Sequence, residues 1–255
     1  MIKEIKEHSF LFTELVKRDF KKKYKRSYLG IMWSLISPLL SLLVMRLVFT
    51  RIFGRGIEHY TTYLFCGNLV FAYFNEATTQ GMSAILQSGA IFTKIKVESI
   101  LFLLSKNAQI FINFSLTLLV FFVFCIFDGI MPSASFLLLI YPIVCLTVFN
   151  VGIGATLASL YVFMRDVQYL WSVFVQLLTY LSAIFYTIDS YPEWAQLLFN
   201  LNPVYLFISY FRKAVIEGRA PEIWHHALML TYSLFAISSG LFIYRRARGK
   251  FPYYV

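Results

Sequence analysis

The chain has 255 residues, 59% hydrophobic and only 14% charged, with a mean hydropathy of +0.68 and a formal net charge of +10. A soluble domain carries roughly a quarter charged residues, so this composition excludes a water-soluble globule and describes an all-α integral membrane protein. Nucleic acid is excluded as a partner too, because the positive charge gathers at the two ends and in short gaps between apolar runs, as membrane topology requires.

Residues 1–29 are polar and basic. They lack the apolar core of a cleavable signal peptide. Seven of the ten residues from Lys17 to Arg26 are Lys or Arg. Phe12, Val16, Phe20, Tyr24 and Tyr28 recur every four residues beside Leu11 and Leu15, which on a helix makes an apolar stripe with most lysines opposite. The pattern predicts an amphipathic interfacial helix lying in the membrane plane, its cations facing anionic headgroups at on the order of 1 kcal/mol each. A plain topology signal is the simpler reading of the same charge.

Six apolar stretches follow, at about 30–52, 60–82, 103–127, 136–163, 168–188 and 226–244, each close to the ~20 residues that cross a bilayer. A seventh, 195–211, is broken by Asn202-Pro203, and a pre-proline residue is pushed out of helical geometry. Charge decides its fate. With both termini cytoplasmic the number of crossings is even, so residues 187–225 are expected to form short external helices, and residues 245–255 a cytoplasmic tail. This arrangement puts seventeen basic residues inside, including Lys94, Lys96, Lys106 and Arg165, against five outside, with Arg46 within a span. The asymmetry fixes the orientation by the positive-inside rule.

The search for catalytic chemistry is negative. Cys66, Cys125 and Cys145 stand singly in apolar runs, without the spacing of a metal or disulfide framework. His225 and His226 are adjacent, and neighbouring helical residues point about 100° apart, so one ion would not take both. No catalytic or metal site is therefore expected. No P-loop occurs, and Gly152-Val-Gly154 lies inside a span, where it reads as close helix packing. If ATP drives this protein, another chain binds it. Arg46 lies close enough to the outer end of its span to snorkel. Glu76 sits with Asn75, Thr78, Thr79 and Gln80 in a cluster that must face protein or water. Aromatics make up 19% of the chain. Trp33, Trp171, Tyr180 and Tyr186 are candidates for a sugar-stacking channel, although interfacial belts and lipid-facing rings account for many aromatics.

Four stretches carry a family resemblance. "RDFKKKYKRSYLGIMWSLISPLL" has a basic helix, Leu29-Gly30, Trp33 and Pro38-Leu39. "YLFCGNLVFAYF" is similar to a second span. "FMRDVQYL" has an Arg-Asp step, and "FNLNPVYLFISYFRKAVIEG" has the Asn-Pro, the later Arg and the Gly. In this order, on a six-span chain of this length, they resemble the ABC-2 type permease family, in particular the subunits that export polysaccharides such as O-antigen, teichoic acid and capsule. One departure is that "IFTKIKVESILFLL" lacks the Phe-Pro common before span three.

The resemblance implies a homodimer in the bacterial cytoplasmic membrane, working with two copies of an ABC ATPase subunit that carries the ATP and Mg; this chain would need no cofactor. It implies ATPase coupling through residues 85–99, with Lys94 and Lys96, and through Arg165-Asp166. The cations Lys21, Lys22, Lys23, Lys25 and Arg26 would lie on a gate helix, near the diphosphate of a lipid-linked glycan. External gate helices with Asn202, Pro203 and Arg212 would cover the exit. A drug or lipid efflux permease of the same broad family is the alternative. A membrane-embedded glycosyl- or phosphotransferase is less well supported, because Glu98 and Asp166 fall on separate inner loops.

Overall fold

The computed structural model describes residues 8–25, 27–53, 57–92, 97–189 and 191–254. Every regular element among them is helical. Helix α1 (Ser9–Tyr24) is followed by a 3-10 turn (Gly30–Met32) that runs into α2 (Trp33–Phe53). Next come α3 (Tyr60–Gln87), the single turn α4 (Gly89–Phe92) and α5 (Ile100–Phe127). A 3-10 stretch (Ala134–Leu139) leads into α6 (Ile140–Phe163), which a tight turn joins to α7 (Val167–Leu181). The short helices α8 (Glu193–Leu201) and α9 (Pro203–Val215) precede α10 (Ile223–Ala247) and a 3-10 tail (Arg248–Tyr253).

Among the described residues four helical stretches are long and apolar enough to cross a membrane: Gly30–Thr50, Ile100–Phe127, Ala134–Phe163 and Ile223–Tyr253. The other two expected spans depart from that standard for different reasons. Helix α3 has 28 residues, about 42 Å at 1.5 Å per residue, but it carries Asn68, Asn75, Glu76, Thr79 and Gln80. It is the central helix, packed against α2, α5, α6 and α9, so most of it never meets lipid, and these five residues lie on its part-exposed remainder. Helix α7 is apolar but has only 15 residues. It stops at Leu181, not at 188, because Ala183 takes a left-handed backbone (φ 46°) that turns the chain back.

The core surrounds α3. Phe65, Phe74, Phe121, Phe149, Phe207 and Tyr210 interlock there, all buried. The tightest crossing lies between α6 and α10. A Cβ on Gly240 would run into the Gly152 carbonyl, and one on Gly152 into the Ala236 and Ile237 backbone, so the two helices touch backbone to backbone as small residues permit in membranes. Gly154 faces Gly81 of α3 and Leu103 of α5 on the other side of α6. The glycine pair picked out in the sequence thus serves two packing faces.

Contacts sort the connections into two ends. α1, the start of α5, the α6–α7 turn and the tail meet at one end. The start of α3, the Asp128 turn and residues 182–215 meet at the other. Lys17, Lys21, Lys22, Lys106, Arg165, Arg245 and Arg248 all belong to the first, basic end.

Candidate functional site

At the basic end α1 is docked on the bundle. Leu11, Phe12 and Leu15 pack on Ile91, Val97, Leu101 and Phe102, and Leu15 is buried. Three ion pairs add to this, two of them between α1 and the bundle. Asp19 takes Arg18 at 2.8 Å and Lys106 of α5 at 3.5 Å, while Lys23 Nζ donates to Glu76 Oε1 of α3 at 2.7 Å. The buried face of α1 therefore turns through Leu15 and Asp19, while Tyr28, placed by the sequence at the end of the stripe, lies beyond the helix and is fully exposed. Lys21, Lys22 and Lys25 are exposed; Arg26 lies outside the described residues.

Lys23 and Glu76 stand on the rim of a groove of about 590 Å3 between α2, α3 and α5. Ser34, Ser37 and Ser41 line it from α2, Asn68 and Tyr73 from α3, and Thr117 from α5, with Trp33 at the rim. The serine spacing of three and four residues puts all three hydroxyls on one helix face. The polar face of α3 continues along the helix through side-chain bonds: Thr79 to Asn75 at 3.1 Å, Gln80 to Glu76 at 2.9 Å and Gln87 to Ser83 at 2.9 Å. Ala72 and Thr79 on this face are exposed. Such a surface suits hydroxyl-bearing, partly charged material better than acyl chains.

The α6–α7 turn holds Arg165 and Asp166, both exposed. Arg165 donates to the Tyr254 carbonyl of the tail at 3.3 Å and lies over the Tyr161 ring at 5.5 Å. Lys94 and Lys96 lie outside the described residues. The adjoining Glu98 accepts from Arg248 of the tail at 2.8 Å, so one short segment touches both places where the sequence puts coupling residues.

At the far end the chain from Leu181 to Tyr186 turns back with its carbonyls exposed to side-chain donors. Asn202 caps α9, accepting from the Val204 amide at 3.0 Å, and also donates to the Leu181 carbonyl at 3.0 Å. Pro203 occupies the first turn of α9, where its missing N–H costs nothing. Arg212 donates to the carbonyls of Ala183 (3.0 Å) and Ile184 (2.9 Å), while Tyr60 and Tyr63 donate to those of Phe185 and Tyr186, each at 2.7 Å. The guanidinium is buried and lies 3.4 Å over the Tyr63 ring. Burial pulls its pKa below the ordinary arginine value, from so high a start that the charge persists.

The four candidate aromatics do not converge within one chain. Trp33 rims the groove. Trp171 packs on Phe74, behind the central helix. Tyr180 is exposed on α7, and Tyr186 donates to the Tyr180 carbonyl at 2.6 Å within a ring cluster with Tyr191 and Phe199. Among the described residues no three His, Cys, Asp or Glu side chains gather as a metal site. Sequence reasoning missed Asp19–Lys106, Lys23–Glu76 and Glu98–Arg248. Its one available signal was a lone acidic residue on each apolar or basic segment, which asks for a partner without naming it.

Comparison with known proteins adds a family and relatives. Residues 11–216 match the family described as ABC-2 type transporter. The chain is 26% identical over 243 residues to the O-antigen export system permease protein RfbA of Klebsiella pneumoniae, covering 94% of this chain and 93% of that one. It is 24% identical to the protein of the same name from Myxococcus xanthus, covering 98% and 97%. The polysialic acid transport protein KpsM of Escherichia coli is 21% identical, covering 89% and 90%.

Proposed function

The chain belongs to the ABC-2 type transporter family, and from that premise we propose that it is the permease subunit of an ATP-driven exporter of a lipid-linked polysaccharide, of O-antigen, teichoic acid or capsule type, across the bacterial cytoplasmic membrane. The observation that carries this reading is the hydroxyl- and amide-lined groove between α2, α3 and α5, with a cationic helix at its mouth. Relatives named for O-antigen and polysialic acid transport support the same substrate class.

In this reading six helices cross the bilayer. The four long apolar stretches do so unaided, α3 does so sheltered by its neighbours, and α7 is the shortest span, with the folded-back residues 182–189 seated at its outer end. The segment 1–29 carries the gate helix, α1, while 30–244 is the membrane domain and 245–255 the tail. A second copy pairs with the first and covers the exposed polar face of α3, which lipid cannot solvate.

The ATPase, with ATP and Mg, is a separate chain in two copies, docking beneath residues 85–99 and the Arg165-Asp166 turn. Its closure presses on α5, α6 and α7 and widens the path beside α2 and α3. The gate helix holds its cations toward the diphosphate of the incoming lipid-linked glycan. The serines and amides of the groove exchange hydrogen bonds with successive sugar hydroxyls, a contact weak enough at each step to let the polymer slide. The external helices α8 and α9, held by Asn202 and Arg212, cover the exit.

Depletion of the protein in its host, followed by extraction of membrane lipids and surface polymer, tests the reading. Accumulation of a lipid-linked glycan on the cytoplasmic leaflet with loss of one surface polymer is expected. Unchanged pools of both would overturn it. The reading that would then lead is efflux of a drug or lipid, favoured by the apolar cleft of about 760 Å3 between the end of α7 and α8, lined by Leu178, Leu181, Trp194 and Leu198.

A further inference from the structure

We propose that the C-terminal tail, residues 248–254, is a tie-bar: it joins the two loops on which the partner ATPase pushes into one lever, so that the stroke moves α6 and α10 together. The inference rests on the export reading above and concerns a segment to which that reading gives no task.

The tail does not trail away from α10. It folds back across the basic end and is anchored at three points. Phe251 is fully buried in the cluster that joins Ile85 of α3, Ile100 and Leu103 of α5, Val162 of α6 and Tyr244 of α10, with its ring against Phe163 and Tyr244. Arg248 pairs with Glu98, just before α5, at 2.8 Å. At the other extremity the Tyr254 carbonyl accepts from Arg165 at 3.3 Å, and its ring packs edge-on against Phe163 at 5.0 Å. One segment of seven residues thus spans from the loop before α5 to the turn after α6.

The last turn of α10 reinforces the bridge. Tyr244 OH accepts the Ile100 amide at 2.8 Å and bonds Ser99 Oγ at 2.7 Å. The first amides of a helix have no partner within it, so here a side chain of α10 caps α5. A push on the loop before α5 therefore reaches α10 through the cap and Arg248, and reaches the α6–α7 turn through Phe251 and Tyr254. Because α10 and α6 meet backbone to backbone at Gly152 and Gly240, the two helices cannot slide independently, and motion at the basic end is carried along the bundle. Without the tail that coupling would rest on the Tyr244 cap alone, and the α6–α7 turn would lose its direct tie to the loop before α5.

The test uses the full complex, co-expressed with its ATPase subunit in the host. It compares wild type, a chain truncated after Ala247, Phe251→Ala, and the single and paired exchanges Glu98→Arg and Arg248→Glu. Three quantities are read: ATPase co-purified per permease, phosphate released by the purified complex, and total sugar on the cell surface. For truncation and Phe251→Ala we expect normal co-purification and ATP hydrolysis, with surface sugar falling by about tenfold, the size of a typical coupling between sites. Each single exchange should lower surface sugar by about twofold, and the pair should restore it, since both side chains are partly exposed and cost the fold little.

Wild-type surface sugar in the truncated chain overturns the proposal, as does a truncated chain that no longer retains the ATPase, because the tail is then a docking element. If truncation or Phe251→Ala lowers the yield of membrane-inserted protein, the exchanges decide: failure of the pair to recover overturns the tie-bar. A wild-type chain that retains no ATPase removes the export reading itself, and the tie-bar with it. That outcome is distinct, because it is seen before any variant is made.

Discussion

The two ends of the bundle are held in opposite ways. At the far end a buried guanidinium, two tyrosine hydroxyls and an amide satisfy the carbonyls of Leu181 and Ala183–Tyr186. The two bonds from Arg212 are buried, so they cannot be given up cheaply. At the basic end, beside the buried contacts of Leu15, Phe251 and Tyr244, stand two partly exposed ion pairs, Lys23–Glu76 and Arg248–Glu98, and pairs of that kind contribute about 0–1 kcal/mol each. The far end is built to stay; at the basic end these two surface pairs are the contacts able to part and re-form. In the topology proposed above, that puts the rigid fixture on the exit side and the exchangeable pairs on the gate side.

The largest effect that would sharpen this contrast belongs to Arg212. Arg212→Met should cost about 3 kcal/mol, since the carbonyls of Ala183 and Ile184 lose charged donors where they are buried. The detergent-solubilised protein should melt several degrees lower, with Arg212→Lys recovering only part. Smaller is Asn202→Ala, which removes the cap of α9 and the Leu181 bond and should cost about 1 kcal/mol; increased proteolysis between α7 and α9 would report it. The smallest stability change, at most about 0.5 kcal/mol, is expected for Lys23→Glu. Its effect should instead be on transport: export falls, and Glu76→Lys in the same chain restores it. A melting loss for Lys23→Glu as large as that for Arg212→Met would break the comparison outright.

Much of the frame was legible from residue order. The apolar runs announced α2, α5, α6 and α10, the Asn202-Pro203 pair announced the junction of α8 and α9, and Gly152 announced a close crossing. These are local signals: each depends on the transfer energy or backbone preference of a few adjacent residues. The end of α7 was misjudged because residues 182–188 are as apolar as a span, and only the left-handed Ala183, held by donors from α3 and α9, turns them back. The apolar stripe of α1 was drawn four residues too far for a related reason. Asp19 is buried against Lys106, so the face that docks is chosen by a partner 87 positions away, which no helical wheel of residues 9–24 contains.

Sequence alone determined that this chain lives in a membrane, and its charge asymmetry led to the expectation that the basic segments share one side. Those conclusions sum over many residues, and burial of apolar surface and the cost of moving charge across a bilayer do not depend on which helix meets which. Tertiary structure alone decided that Lys23 meets Glu76, that Arg212 holds the turned-back end of α7, and that the tail bridges Glu98 and Arg165. Such pairings depend on a few ångströms of helix register, and they are set only when the glycine crossings and the core around α3 bring distant polar groups within hydrogen-bonding reach.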